Sequence, residues 1–312
     1  MKVVVTGGTG FIGRPLVSLL LSGGHEVTVL TRRPSAVVPP GARAVVWPAG
    51  EEGKSLFPNG DTGPNWREAL EGAGAVVNLA GESIASRRWN RRQKDRIVNS
   101  RVLGTRMLVD AIAGLKQKPE VLISSSAVGY YGWTGDGEIT ESAGPGRDFL
   151  SSVCVDWERE ALRAESADLR VVLLRTGIVL AKDGGSLPRM LLPFRLFAGG
   201  PMGSGKQWMP WIHRDDLLSL IVFLMENERA RGPVNAVAPE PVRNRDFCRA
   251  LAGMLRRPCR LWVPGPVLKI ILGEMAAPLL LNGQRAVPAK SLELGFDFRY
   301  GDLKSALGAI LS

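Results

Sequence analysis

Histidine occurs twice in this 312-residue sequence and cysteine three times. Cys154, Cys248 and Cys259 are scattered, odd in number and without metal-ligand spacing. His25 and His213 lie far apart, so no metal site is expected, and a reducing, cytoplasmic setting is. Long apolar runs are also missing. The most apolar late stretch, 263–281, is interrupted by Pro266, Lys269, Glu274 and Pro278, which reads as packed helices rather than a membrane span. Met1 leads straight into an apolar strand, so no signal peptide is expected. Internal repeats and low-complexity tails are absent too.

Carboxylates are in deficit: 30 Asp and Glu stand against 40 Lys and Arg, for a net charge of +10. Part of the excess is local. Arg87, Arg88, Arg91, Arg92, Lys94, Arg96, Arg101 and Arg106 share one segment with a single acid, Asp95. The apolar positions Ile97, Val98, Leu103, Met107, Leu108, Ala111 and Ile112 fit the inner stripe of a helix there. The basic face then reads as solvated, or as an attraction for a small anionic substrate. No nucleic-acid module accompanies it, so a nucleic-acid partner is not expected.

What the sequence does have is a strand, 2–6, running into glycines that open an apolar helix. Gly7 permits a tight turn, Gly10 lets a ligand's diphosphate approach the backbone, and Gly13 lets helix pack on strand. Thr9, Phe11 and Ile12 complete a loop whose amides face the anion at the helix start. A second apolar strand, 26–31, ends in Thr31, Arg32 and Arg33. An acid there would accept from the ribose 2′-hydroxyl of NAD. Two guanidinium groups suit a 2′-phosphate instead, which predicts NADP(H), although two solvated loop arginines would look the same.

Further strands are expected at 43–47, 75–81, 120–126 and 169–175, with an irregular Gly- and Pro-rich loop at 48–64 and a short helix at 66–70. Their near-continuous apolar character, alternating with helices such as 150–165, predicts an α/β fold, a doubly wound parallel sheet of Rossmann type. Residues 1–180 are expected to form this dinucleotide-binding domain, with a strand near 233–237 returning to the sheet. Residues 181–312 are expected to form a smaller C-terminal lobe, closing over the crevice and including a helical segment, 263–312. Gly200 to Gln207 imitates a phosphate-binding nucleotide loop. Gln207 replaces the magnesium-binding hydroxyl and no strand precedes the loop, so no ATP site is expected.

Taken together, Thr6 to Gly13, Asn78 to Gly81, Gly104-Thr105 and Ser124 to Gly132 resemble the extended short-chain dehydrogenase/reductase superfamily of nucleotide-sugar epimerases and dehydratases. Arg88-Trp89, Ser100-Arg101, Leu192 to Arg195, Gly203 to Gly205 and Pro210 to His213 narrow the resemblance to its YfcH/SDR39U1-like epimerase subfamily, whose small appended domain 263–312 is similar to. The resemblance implies a Rossmann-type fold and NADP(H). It places Leu79, Ala80, Gly81 and Ser124 on the cofactor side, and Arg101 where related enzymes carry a cofactor-side asparagine. It also aligns Ser126 with the serine that hydrogen-bonds a substrate carbonyl, and sets His213 where relatives contact substrate.

One departure matters. In the superfamily a Tyr-x-x-x-Lys pair moves the proton and holds the nicotinamide ribose, and those positions fall here on Leu150 and Cys154. Candidates left for proton work are Ser126, Tyr130, Tyr131 and His213. Two functions follow as expectations: an NADP(H)-dependent oxidoreductase or epimerase-type enzyme for a small anionic carbonyl or sugar-like substrate, or a catalytically silent NADP(H)-binding sensor.

Overall fold

The computed structural model describes residues 1–48 and 65–312, so all but the first residue of the loop expected at 48–64 lies outside the described residues. The chain opens with β1 (Lys2–Thr6), α1 (Gly13–Ser22), β2 (Glu26–Thr31) and β3 (Arg43–Val46). It continues through β4 (Ala75–Asn78), α2 (Arg91–Ala113), β5 (Val121–Ala127), the short β6 (Glu138–Ile139), α3 (Phe149–Leu162) and β7 (Arg170–Thr176). Seven parallel strands build the main sheet in the order β12-β7-β5-β4-β1-β2-β3, where β12 is Gly232–Ala236. The order reverses between β1 and β4, and in such sheets the ligand crevice opens at that reversal, beyond the carboxyl ends of the strands.

Alternation along β1 shows why both faces are covered. Val3 and Val5 point into one apolar layer with Leu16, Leu20, Leu217 and Ile221, while Val4 points into the other with Leu108, Ile112, Leu122 and Ala161. A strand buried on both sides reads as a continuous apolar run, as this one does. Helix entries are fixed by side chains. Asn90 accepts from the Gln93 amide at the start of α2, and Asp148 accepts from the Ser151 amide at the start of α3.

Residues 66–70 form successive turns rather than the expected helix. Glu68 bonds back to Asn65 and Leu70 to Arg67, and Gly72 at φ 66° ends the run before a helix nucleus is established. Past β7 the chain forms β8 (Ile178–Ala181), β9 (Gly184–Gly185), α4 (Leu187–Arg195), β10 (Trp208–Met209), β11 (Trp211–His213) and α5 (Arg214–Glu226). β12 follows, then β13 (Val242–Arg243), α6 (Asn244–Leu255), α7 (Gly265–Leu272), β14 (Arg285–Ala286), α8 (Ala289–Glu293) and α9 (Leu303–Leu311). Leu187, Phe194, Phe247, Leu251 and Leu307 of α4, α6 and α9 make a separate apolar cluster with Trp211. β14 pairs with β6 in parallel register, Glu138 with Arg285, and so ties the late segment to the β5–α3 connection in a small sheet of its own. Among the described residues, no helix is long and apolar enough to cross a membrane.

Candidate functional site

The crevice floor is the glycine loop. Gly7 adopts φ 67°, and a Cβ on it would lie 2.7 Å from the Leu79 carbonyl oxygen. A Cβ on Gly13 would lie 2.2 Å from the Gly7 oxygen, so both positions exclude any side chain. The Gly10 amide donates to Gly7 at 2.9 Å, and Thr9 and Gly10 stay exposed. The amides of Phe11 and Ile12 bond no described acceptor and remain available at the start of α1. That arrangement suits a diphosphate. The Phe11 side chain serves the architecture instead. Its ring fills the space where Gly184 and Gly185 lack side chains, with the Arg214 guanidinium 5.3 Å from its centroid.

Below the loop a buried polar chain locks the strand ends. The Thr6 hydroxyl donates to Asn78 Oδ1 at 2.7 Å and accepts from the Ala80 amide at 3.2 Å. Asn78 Nδ2 donates to Thr105 at 2.9 Å and to Ser124 at 3.4 Å, and Trp157 Nε1 also donates to Thr105, at 2.9 Å. Ser124 is therefore fully buried beneath the crevice, whereas Leu79, Ala80 and Gly81 form its rim. At the opposite rim Leu30 is the register partner of Thr6, and β2 ends one residue later at the buried Thr31, whose hydroxyl accepts from the Arg33 amide. Arg32 and Arg33 are exposed there, and neither pairs with an acid among the described residues.

On the β4–β5 side, Arg101 reaches from α2 to lie beside Gly81, where a Cβ would lie 3.2 Å from its Cζ. Nη1 donates to the carbonyls of Glu82 at 2.9 Å and Ile97 at 3.2 Å, and the guanidinium lies 5.2 Å from the Trp157 ring centroid. Burial lowers its pKa, while the nearby Cys154 and Glu82 act against that shift. Leu150 and Cys154 fall on the face of α3 turned toward the end of β5, with Leu150 against Gly129. Burial, then the charge of Glu158, pushes the Cys154 thiol up to about 11, so it is neutral at physiological pH.

Ser126 donates to Glu158 Oε1 at 2.6 Å. Arg175, its register partner on β7, binds both Glu158 oxygens at 2.8 Å. Burial alone would depress the Arg175 pKa, but hydrogen bonding and charge from Glu158 outweigh it and raise it. The same guanidinium donates to the Tyr131 hydroxyl at 3.0 Å and lies 3.5 Å from the Tyr130 ring centroid. Tyr131 is 2% exposed and donates to Asn235 Oδ1 at 2.7 Å. Glu141 closes the cluster by accepting from the Asn235 amide at 2.9 Å. Tyr131 is thus fully engaged, whereas Tyr130 is half-buried and its hydroxyl bonds no described side chain.

His213 lies apart from this cluster. It caps α5, its Nδ1 accepting from the Asp215 amide at 3.0 Å, and its ring stacks 4.0 Å from Tyr300; burial lowers its pKa. Glu158, Arg175, Asn235 and Glu141 were not singled out in the sequence. The one available signal was spacing, since Glu158 follows Cys154 by one helical turn. Beside Phe149, a cavity of about 420 Å³ is bounded by Trp89, Asn90, Lys94, Val98 and Glu274, where Lys94 and Glu274 form an ion pair. Among the described residues no His, Cys, Asp or Glu group is placed to hold a metal ion.

Comparison with known proteins bears on the whole chain. The model for the NAD dependent epimerase/dehydratase family matches residues 3–237, and a domain of unknown function, DUF1731, matches residues 263–310. An Arabidopsis thaliana relative, epimerase family protein SDR39U1 homolog, chloroplastic, is 42% identical over 320 residues, covering 100% of this chain and 87% of its own. Human epimerase family protein SDR39U1 is 36% identical and covered over 100% of both chains. The crystal structure of that human protein (isoform 2) with NADPH matches with a TM-score of 0.84 at 34% identity over 99% of each chain. A nucleoside-diphosphate sugar epimerase from Corynebacterium glutamicum matches with a TM-score of 0.78 at 36% identity, over 100% of this chain and 58% of its own.

Proposed function

The chain belongs to the NAD dependent epimerase/dehydratase family, and we propose that it is an NADP(H)-dependent oxidoreductase or epimerase-type enzyme acting on a small anionic carbonyl or sugar-like substrate. The observation that carries this reading is the side-chain-free contact of Gly7 with Leu79, with two exposed arginines at the neighbouring strand end that pair with no acid among the described residues. The first fits a diphosphate and the second a ribose 2′-phosphate. NADPH bound to the human relative supports the same assignment. Gly7, Thr9, Gly10, Phe11, Ile12 and Gly13 would hold the diphosphate through their backbone. Thr31, Arg32 and Arg33 would hold the adenosine end, and Leu79 to Gly81, backed by Ser124, would support the nicotinamide half. When bound, the cofactor supplies a hydride at its nicotinamide ring.

Proton handling falls to this chain's own residues. Leu150 has no exchangeable proton, and a thiol at about 11 at Cys154 is a weak acid at neutral pH. Ser126 and Tyr130 remain, both near the end of β5; we assign the substrate oxygen to Tyr130, whose hydroxyl bonds no described side chain, and to Ser126 once it gives up the hydrogen bond it donates to Glu158. Tyr131 and His213 take supporting roles on this reading, since Asn235 and Arg175 occupy the first and the start of α5 occupies the second. Exposed arginines before and at the start of α2, including Arg87, Arg91 and Arg92, favour an anionic substrate. The replaced pair at Leu150 and Cys154 also favours a second reading, a silent NADP(H)-binding sensor.

Titration of NADPH into the purified protein, followed by nucleotide fluorescence, tests the first step. Binding is expected for the native chain and for Gly253→Ala, where a Cβ meets open space, and is expected to be lost in Gly7→Ala. Consumption of NADPH with a panel of anionic carbonyl compounds then separates the two readings, because a sensor turns over none.

A further inference from the structure

A guanidinium buried without a carboxylate partner needs some other reason to be where it is, since desolvating a charge is costly unless hydrogen bonds offset it. Arg101 is in that position. Among the described residues its only close acceptors are two backbone carbonyls, both served by Nη1, so Nε and Nη2 keep donors that no described residue takes. Neither atom is sealed in the interior, because neither is among the buried polar atoms left without a partner. Nη2 lies against Gly81, 3.3 Å from where a Cβ on that residue would stand.

The sheet order says which part of a ligand passes them. From β2 through β1 and β4 to β5, the strand ends present Arg32 and Arg33, then Gly7, then Leu79 to Gly81, then Ser126. Three strand spacings, about 14 Å, separate the first from the last. A dinucleotide with its 2′-phosphate at the arginines and its diphosphate at Gly7 extends its second ribose over Gly81. Arg101 stands there next to Cys154, the position at which the resemblance puts a ribose-holding lysine.

We propose that Arg101 is the positioning residue for the nicotinamide-side ribose, its Nε and Nη2 donating to the ribose hydroxyls in place of the missing lysine ammonium. The inference rests on the NADP(H) reading above. It also explains why Cys154 is tolerated: the cation arrives from α2 rather than from α3. A guanidinium fixed by two carbonyls holds without titrating, so the ribose is gripped by a group that cannot itself take part in proton transfer.

Binding of two ligands to the full chain tests this. NADPH carries the second ribose, whereas adenosine 2′,5′-bisphosphate carries only the adenosine end. In Arg101→Gln, NADPH is expected to bind about 10–100-fold more weakly while the bisphosphate stays within about twofold of the native chain. Arg101→Lys, which keeps the charge and loses the fork, is expected to show the same selective loss at smaller size, and carries the test should the glutamine variant fail to fold. Equal weakening of both ligands, or of neither, would overturn the assignment of Arg101 alone. A native chain that binds neither ligand would overturn the NADP(H) reading and this inference with it.

Discussion

Glu158 on α3 and Arg175 on β7 form a two-pronged ion pair, 2.8 Å on each side, with side-chain exposures of 6% and 4%. Geometry of this kind is what lets two charges leave water together. Removing one partner strands the other. Glu158→Gln is therefore expected to lower unfolding free energy by about 3–5 kcal/mol. The double variant Glu158→Leu/Arg175→Met should recover much of that loss. Urea unfolding of the three chains is the measurement, and a loss below about 1 kcal/mol for the single variant would contradict the pair's importance.

Cofactor choice is expected to rest on the exposed arginines after β2. The double variant Arg32→Ala/Arg33→Ala should bind NADPH about 10–100-fold more weakly and leave NADH binding within about threefold, since only the former carries the extra phosphate. Fluorescence titrations at one fixed salt concentration give both numbers. Equal loss for the two cofactors would mean that these arginines read something other than the 2′-phosphate.

The cap of α5 makes stability depend on pH. Burial holds His213 below the usual imidazole value, with Asp215 and Asp216 opposing and Arg214 and Arg299 reinforcing that shift. Unfolding then raises its pKa and takes up a proton. Its contribution is complete above about pH 6.5 and is lost as pH falls through the folded value. His213→Asn keeps an acceptor for the Asp215 amide and carries no titrating ring. The native chain should therefore lose more unfolding free energy than the variant between about pH 7.5 and about pH 5.5, as denaturant melts at both values would show.

Local signals made the fold and the glycine loop of the candidate site readable from the residues alone. Val3 to Val5 alternate between two apolar layers, and Gly7, Gly10 and Gly13 carry their reason in their spacing. The stretch 66–70 misled because five residues of helical composition do not overcome the cost of a nucleus between turn-forming neighbours. Phe11 was read for its place in the loop, while its ring answers to Gly184 and Gly185 far along the chain. Glu158, Arg175 and Asn235 stayed hidden for the same reason. The Asn235 amide meets the Glu141 carboxylate across 94 positions, and neither residue is unusual in its own neighbourhood.

The pairing of Glu138 and Ile139 with Arg285 and Ala286 has a consequence for biosynthesis. Glu141, which accepts from the Asn235 amide, also accepts from the Lys290 amide 149 positions later in the chain. A nascent polypeptide can pair β1 through β7 and then β12 as they leave the ribosome, yet the bond of Glu141 to the Lys290 amide and the pairing of β6 with β14 must wait until residue 290 has emerged. Translation thus leaves an interval in which β6 stands without its partner strand, and a premature stop before residue 285 would leave it so.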